Sequence, residues 1–464
     1  MTRSVTERRV LSVIGGVIPL VFAFYVYRLH GMTDFINDYG PLQRNLLYLV
    51  TVGLLAWAGL AIDLLWRKKR DRAGAAVARF AWIMPVVAIL LTTGFAGYIL
   101  VPKYSGGGDV PPQLILLTTP SGHAVPNLAV SFYTAAATKN TLLWGEADGK
   151  LRHATERSAV RKHWFELSGL KPDTQYMYTV NDSSAVRFRT PPASGETFWF
   201  AAAGDAHVGN ETSNTAATER MLKNIALPTN GYSLFFDLGD TAQLGFNRGI
   251  WQTAGDTFSP YTGSIPTAYV PGNHDTMLGG LGLYQRYLGL PASAGGDAPL
   301  YRRIDCGGAH FLLLDLEWEL GTYTPAEKVW LEAQLKSIPP RDWTIVMCHT
   351  FFYASGGEED GWPWYDNKAV INELTPLFKK YDVDLVISGH KHQAEVLRSD
   401  GVTYVIAGTL GGRPDTILTH TSPASLWLKQ GVLGFADVTI QGSSATVAFR
   451  DADDKVLYRT TIKK

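Results

Sequence analysis

Five short motifs hold most of the chemistry this chain could perform: Gly204-Asp205-Ala206-His207, Gly239-Asp240, Gly272-Asn273-His274-Asp275, Val346-Met347-Cys348-His349 and Gly389-His390-Lys391-His392. Carboxylate, imidazole and amide oxygen together mix hard oxygen donors with nitrogen, a set suited to Mn, Fe or Zn, and thiolate is missing from it. Two such ions roughly 3.5–4 Å apart can bind both an attacking hydroxide and a phosphoryl oxygen, so a cluster of this kind fits phosphate-ester hydrolysis. A bridging carboxylate would hold the pair together, and Asp240 is the natural candidate.

The elements that must position these residues are legible beside them. Each motif follows an apolar, strand-like run: Phe198-Trp199-Phe200-Ala201, Leu234-Phe235-Phe236-Asp237-Leu238, Thr267-Ala268-Tyr269-Val270, Trp343-Thr344-Ile345-Val346 and Val383-Asp384-Leu385-Val386-Ile387. Ligands at the carboxyl ends of strands are where an α/β sheet places its site. Glycine next to the ligands permits tight turns and a close approach of backbone to the ions.

On these motifs the sequence resembles the calcineurin-like metallophosphoesterase superfamily, whose pattern is D-x-H, G-D-x-x-[DY], G-N-H-[DE], a lone H, and G-H-x-H. The match runs from about Thr197 to Gly412. The resemblance implies that Asp205, His207 and His392 bind one metal, that Asn273, His349 and His390 bind the other, and that Asp240 bridges them. It also implies that His274 faces the substrate as a general acid, with Asp275 orienting its ring. The layout is most similar to purple acid phosphatases, which carry a fibronectin-like domain ahead of the catalytic one and V-x-x-H as the fourth motif. Two departures offset each other. Where purple enzymes have D-x-G and a ligand tyrosine in G-D-x-x-Y, this chain has His207 and, at the tyrosine position, Gln243. Ligand number is kept while the phenolate is lost, so no purple charge-transfer band is expected and a ferric ion is not required.

Length and charge bound the rest. A chain of 464 residues predicts several units, and zero formal net charge with only one short basic loop argues against a nucleic-acid target. Cys306 and Cys348 have no metal-type spacing, and Cys348 reads as inert packing in a buried strand.

Residues 1–101 read as a membrane domain. Val10–Leu29, Leu46–Trp66 and Phe80–Val101 are overwhelmingly apolar, each of about the 20 residues a helix needs to cross a bilayer. Arg3, Arg8 and Arg9 precede the first span, and Arg67, Lys68, Lys69, Arg70, Arg72 and Arg79 lie between the second and third. The positive-inside rule then puts the amino terminus in the cytoplasm and the large carboxyl-terminal part outside it, at the plasma or inner membrane, in a periplasmic or extracellular space. Asp63, four residues before Arg67, reads as half of an ion pair at helical spacing.

Residues 102–112 (PKYSGGGDVPP) predict a linker. Residues 113–192 read as short alternating strands of a β-sandwich, and Leu170–Tyr178 resembles the tyrosine-corner segment of fibronectin type III domains. Residues 193–464 predict the catalytic domain, a four-layer α-β-β-α sandwich. Helices are expected over Ala326–Ile338 and Lys368–Tyr381, and Thr403–Ile406, Phe435–Ile440, Ala445–Phe449 and Val456–Ile462 are expected to finish its second sheet. Tyr353, in a Gly-rich and aromatic stretch (Tyr353–Trp364) placed to cover the metals, and Arg413, after a strand near the same edge, are candidate substrate contacts. His310 and His420 read as ordinary polar positions.

The fold class predicted is therefore three transmembrane helices, a fibronectin type III-like sandwich and an α/β metallophosphoesterase domain. The expected function is hydrolysis of phosphate monoesters by a two-metal enzyme anchored in the lipid bilayer by three helices. Its substrate would be a small or membrane-linked phosphate ester. Phosphodiester or lipid-linked phosphate hydrolysis is the alternative within the class, and a catalytically silent surface-binding protein the alternative outside it.

Overall fold

The computed structural model describes residues 72–119, 125–181, 183–193, 195–290, 299–359 and 362–464, with the pieces 13–14, 16–24, 50–51 and 53–54 ahead of them. The first two expected spans therefore lie outside the described residues except for those helical pieces. The residues of the third form part of helix α1 (Arg72–Tyr104), whose stretch Val86–Tyr104 is long and apolar enough to cross a membrane. Helix α1 runs on into the expected linker. The Ser105 N–H still donates to the Val101 carbonyl at 2.8 Å, so the non-regular connection shrinks to the glycines that follow.

A second compact unit contains residues 107–245, 249–276 and 280–464. Its first seven strands are β1 (Val110–Leu116), β2 (Leu128–Thr138), β3 (Thr141–Glu146), β4 (Arg152–Thr155), β5 (Val160–Leu167), β6 (Gln175–Val180) and β7 (Val186–Arg189). Strand β1 takes in Pro111 and Pro112 of the expected linker. They fall where the register of β1 against β2 jumps from Val110 to Gln113, an irregular stretch that does not need their missing N–H groups.

There follow β8 (Phe198–Ala203), α2 (Thr215–Ala226), β9 (Tyr232–Asp237), α3 (Arg248–Thr262), β10 (Thr267–Tyr269), α4 (Asn273–Thr276), α5 (Leu281–Tyr287), β11 (Arg302–Cys306), β12 (Ala309–Leu313) and α6 (Pro325–Ser337). The chain ends with β13 (Trp343–Cys348), β14 (Gly357–Glu359), β15 (Trp362–Trp364), α7 (Lys368–Lys380), β16 (Leu385–Ser388), β17 (Ala394–Ser399), β18 (Val402–Ala407), β19 (Ser425–Lys429), β20 (Gly434–Gln441), β21 (Ser444–Asp451) and β22 (Val456–Lys463). Both expected helices are present, starting one residue early or ending one early. Thr324 and Asn367 cap them by accepting from the N–H groups of Glu327 and Val370.

Two large sheets result. One has nine strands in the order β22-β21-β20-β8-β9-β10-β1-β2-β5, and the other seven in the order β11-β12-β13-β16-β18-β17-β19. Period-two alternation decides what each face meets. In β8, Phe198, Phe200 and Ala202 enter the core shared with Ile345 and Met347 of β13, while Ala201 and Ala203 face Met221 and Ile225 of α2. On the far side, Val346 and Cys348 of β13 meet Leu331 and Leu335 of α6 and Leu374 and Phe378 of α7. Helix, sheet, sheet and helix are thus stacked as four layers.

The C-terminal strands need a correction. Only the expected strand at Thr403–Ile406 joins the seven-stranded sheet, as β18. Strands β20, β21 and β22 extend the nine-stranded sheet instead, with β20 antiparallel to β8 through Val438↔Phe200. Their alternation puts Ala436, Val438, Ile440, Val447 and Phe449 into the core between the sheets, a requirement that either sheet could have met. Strand β1 also pairs with β10, in parallel at Ile115↔Thr267, so β1-β2-β5 continue the catalytic sheet and β4-β3-β6-β7 form a separate four-stranded sheet.

Candidate metal centre

The five motifs leave five parallel strands at one end of the sandwich. Strands β8, β9 and β10 deliver Asp205/His207, Asp240 and Asn273, while β13 and β16 of the facing sheet deliver His349 and His390/His392. The turns that carry them are strained. Asp205 (φ 63°), His207 (φ 46°), Asp240 (φ 54°) and His390 (φ 65°) all occupy the left-handed region, which costs a side-chain-bearing residue of order 1–3 kcal/mol. Two glycines make the convergence possible. A Cβ on Gly239 would lie 2.8 Å from His349 Nδ1, and one on Gly272 would run into the Asp240 carboxylate.

The side chains form two groups with Asp240 between them, and His274 adds a third set that overlaps both. Asp205, His207 and His392 present ligand atoms to one another, as do Asp240, His349 and His390, and so do His207, Asp240 and His274. Asp240 Oδ2 lies 3.5 Å from His207 Nε2 and 3.3 Å from His349 Nε2, between the groups. Asn273 Oδ1 is 3.0 Å from His349 Nε2, which places the amide with the second group as expected.

Three of the histidines are oriented alike. Nδ1 of His207 donates to Gln243 Oε1 (2.8 Å), Nδ1 of His349 to the Leu238 carbonyl (2.7 Å) and Nδ1 of His392 to the Arg413 carbonyl (2.7 Å). With Nδ1 committed as donor, Nε2 faces the cluster and is the nitrogen that would ligate a metal, the usual arrangement behind metal-binding imidazole. His207 and His392 bring their Nε2 atoms within 3.0 Å of each other, an approach that two lone pairs tolerate only with a cation, proton or metal, between them. Protonation follows the carboxylates. Burial lowers His207 and His390 well below the ordinary imidazole value. Burial also opposes charge on His349 and His392, but Asp240 lifts the former to about 10 and Asp205 the latter to about 9. Burial pushes Asp240 up, and His349 and His274 nonetheless hold it well below the usual carboxylate range. The donor set, the oriented lone pairs and the shared carboxylate fit two metal ions.

His274 stands at the rim. Its ring meets that of His207 edge-on at 4.6 Å, and its backbone N–H donates to Asp240 Oδ1. Its Nδ1 donates to the Gln243 carbonyl at 2.9 Å, so the ring orientation expected of Asp275 falls to that carbonyl. The Asp275 carboxylate instead accepts the N–H groups of Ala242 and Gly272 and ties two ligand turns together. Tyr353 is also displaced from its expected role. It packs edge-on against Tyr404 on the helix-covered face of the second sheet. The stretch that follows it forms the hairpin β14–β15, pinned by Gly356–His420 backbone bonds, and Trp364 from it packs 5.0 Å from the His390 ring beside Trp318. Arg413 is exposed and lines a cavity next to His392. His310 pairs with Asp305, His420 with Asp366, and both cysteines are buried.

Sequence reasoning missed the acceptor carbonyls of Leu238, Gln243 and Arg413, for which no residue type is a signal. It also missed Asp237, which braces the Asp240 turn by accepting from the Gly239 N–H and the Thr241 hydroxyl. A lone acid inside the run Leu234-Phe235-Phe236-Asp237-Leu238 was the available clue.

A family model described as calcineurin-like phosphoesterase matches residues 198–394, the segment that contains all seven candidate metal ligands. Residues 198–394 are a calcineurin-like phosphoesterase domain. Among the relatives of this chain, purple acid phosphatase 23 of Arabidopsis thaliana is 26% identical over 50% of this chain and 57% of its own length. The Fe(3+)-Zn(2+) purple acid phosphatase 12 of the same plant is 22% identical over 82% of this chain and 89% of its own length. Human acid phosphatase type 7 is 25% identical over 51% of this chain and 56% of its own. A purple acid phosphatase from yellow lupin (Lupinus luteus) seeds shares the fold, with a TM-score of 0.64 over 77% of this chain and 74% of that one at 18% identity.

Proposed function

We propose that this protein is a membrane-anchored phosphomonoesterase with a two-metal centre whose catalytic head lies outside the cytoplasm. The observation that carries the catalytic part is the placement of Asp240 Oδ2 within 3.5 Å of an oriented imidazole Nε2 from each ligand group. Bound there, two ions would supply Lewis acidity to the phosphoryl group and a nucleophile at neutral pH. Asp205, His207 and His392 would hold one ion, Asn273, His349 and His390 the other, and Asp240 both. His274, with Nδ1 fixed on the Gln243 carbonyl, would deliver a proton from Nε2 to the leaving alkoxide. Monoesters are favoured because the relatives are acid phosphatases by name.

Anchoring is supported by the apolar stretch Val86–Tyr104 and by the basic loop from Arg67 to Arg79, which assigns the cytoplasmic side. We read β1–β7 as a fibronectin type III-like sandwich. Its two sheets have the order β1-β2-β5 and β4-β3-β6-β7, and the Lys171 N–H donates to the Tyr176 hydroxyl as a tyrosine corner requires.

The decisive assay gives the full-length protein in detergent a chromogenic phosphomonoester and a phosphodiester, each with and without chelator. Chelator-sensitive cleavage of the monoester at the higher kcat/KM is expected, and faster diester cleavage would reverse the substrate assignment. A reporter fused after Lys464 should be active only outside the cytoplasm. Cytoplasmic activity of that fusion would invert the topology.

A further inference from the structure

Lysine is almost never fully buried unless paired, yet the side chain of Lys391, between two ligand histidines, is 1% exposed. Its Nζ lies 2.7 Å from Asp415 Oδ2 and sits over the Trp364 ring at 5.2 Å from the centroid. Trp364 stacks on Trp318, with ring centroids 5.5 Å apart, so the ammonium lies between an aromatic wall and a carboxylate. This arrangement forms part of a cavity of about 330 Å³ that is also lined by His392, Arg413, Thr416 and Glu358. The cavity is built onto the metal centre. His392 donates from Nδ1 to the Arg413 carbonyl, and the Asp415 N–H donates to the His392 carbonyl at 2.8 Å.

We propose that this cavity is the leaving-group subsite of the phosphoesterase centre and that it selects a neutral, hydroxyl-rich alcohol of one ring, a sugar or cyclic polyol phosphate. This rests on the phosphoesterase reading above. Three features of the lining carry the choice. Size is the first: about 330 Å³ lies at the low end of small-molecule sites, which span roughly 300–1,000 Å³. One ring fits there. Charge is the second. Apart from His392, which belongs to the metal group, Lys391 and Arg413 are matched by Glu358 and Asp415, so these four side chains leave no excess charge with which to hold a second phosphate. Hydrogen-bonding capacity is the third, since carboxylates accept from hydroxyls and the cations donate to them, and the hydroxyls of a sugar take both roles. A site built in this way rejects an analogue that lacks the hydroxyls, because its polar groups are then left unpaired.

The test uses the full-length protein with its metal content measured for every variant. Ethyl phosphate and glucose 6-phosphate are both primary alkyl esters, so the ratio of their kcat/KM values isolates what the rest of the alcohol contributes. The wild-type protein should prefer glucose 6-phosphate by at least about tenfold, the discrimination expected when several hydroxyl contacts are made. Asp415→Asn, which keeps the shape, and Thr416→Trp, which fills the cavity from an exposed loop, should each reduce that ratio at least about fivefold. If both variants leave the ratio unmoved, or if octyl phosphate or fructose 1,6-bisphosphate is preferred over glucose 6-phosphate, the subsite is wrong while the phosphoesterase reading stands. Failure to hydrolyse any of these esters in a chelator-sensitive way overturns both.

Discussion

The two ligand groups are chemically similar and physically unlike. Around Asp205, His207 and His392 the site is open on one side: the His392 side chain is 21% exposed, and the orienting acceptor of His207 is a glutamine side chain. Around Asn273, His349 and His390 it is closed. His349 is fully buried, its acceptor is a main-chain carbonyl, and His390 is walled by Trp318, Phe351 and Trp364. A donor set alone does not fix how firmly an ion is held. Exclusion of water and rigidity of the groups behind the ligands do, so the closed group should be the slow, retentive half and the open one the exchangeable, substrate-facing half.

The harshest test removes the shared group. Asp240→Asn should empty both halves and lower kcat/KM by more than about 100-fold, beyond the loss typical of outer contacts, with both ions missing in metal analysis. His274→Ala should retain both ions yet lose roughly 10²–10⁴ in kcat on alkyl esters and less on aryl esters, whose leaving groups need no proton. Metal lost as readily as from Asp240→Asn would make His274 a ligand instead.

Chelator-chase kinetics compare the halves directly. Two release phases are expected, with His392→Ala accelerating the fast one and His349→Ala abolishing the slow one, and a single phase in the wild-type protein would erase the contrast. Gln243→Ala should weaken only the open half, by roughly 10–100-fold in affinity. Because glutamine has no phenolate, the iron-loaded wild-type protein should show no intense visible band.

The smallest effect lies behind the second sheet, away from both halves. Burial pushes the Glu327 carboxyl, which accepts the Asp315 N–H, up to about 8 from an ordinary value of 4.5. The folded state then binds that proton more tightly than the unfolded chain. The stability this lends is full below about pH 4.5 and is lost as pH rises through about 8. Thermal melts of Glu327→Gln should therefore fall less steeply than wild-type over that window, whereas parallel curves would place the wild-type loss at other groups.

The candidate ligands were readable because their types are rare and their spacing ordered. All seven of these side chains converge, each just beyond a strand that its apolar run announced. What orients them was not readable, since Leu238, Gln243 and Arg413 act through carbonyls that any residue could supply. Strands β20–β22 could be recognised by the alternation of Ala436, Val438 and Ile440, but alternation says which side of a strand is apolar, not which sheet it completes. Asp275 was legible as an acid beside His274. Its N–H partners on two separate turns depended on how those turns meet in space.

The bond between β1 and β10 has a practical consequence for anyone dividing this chain. A catalytic fragment cut at residue 193 would strip β10 of its neighbour and leave a bare sheet edge beside the turn that carries Asn273 and His274. Such an edge recruits strands from other molecules, so the fragment is a candidate for aggregation. A cut just before Val110 keeps β1 in place, and with it the edge stays closed.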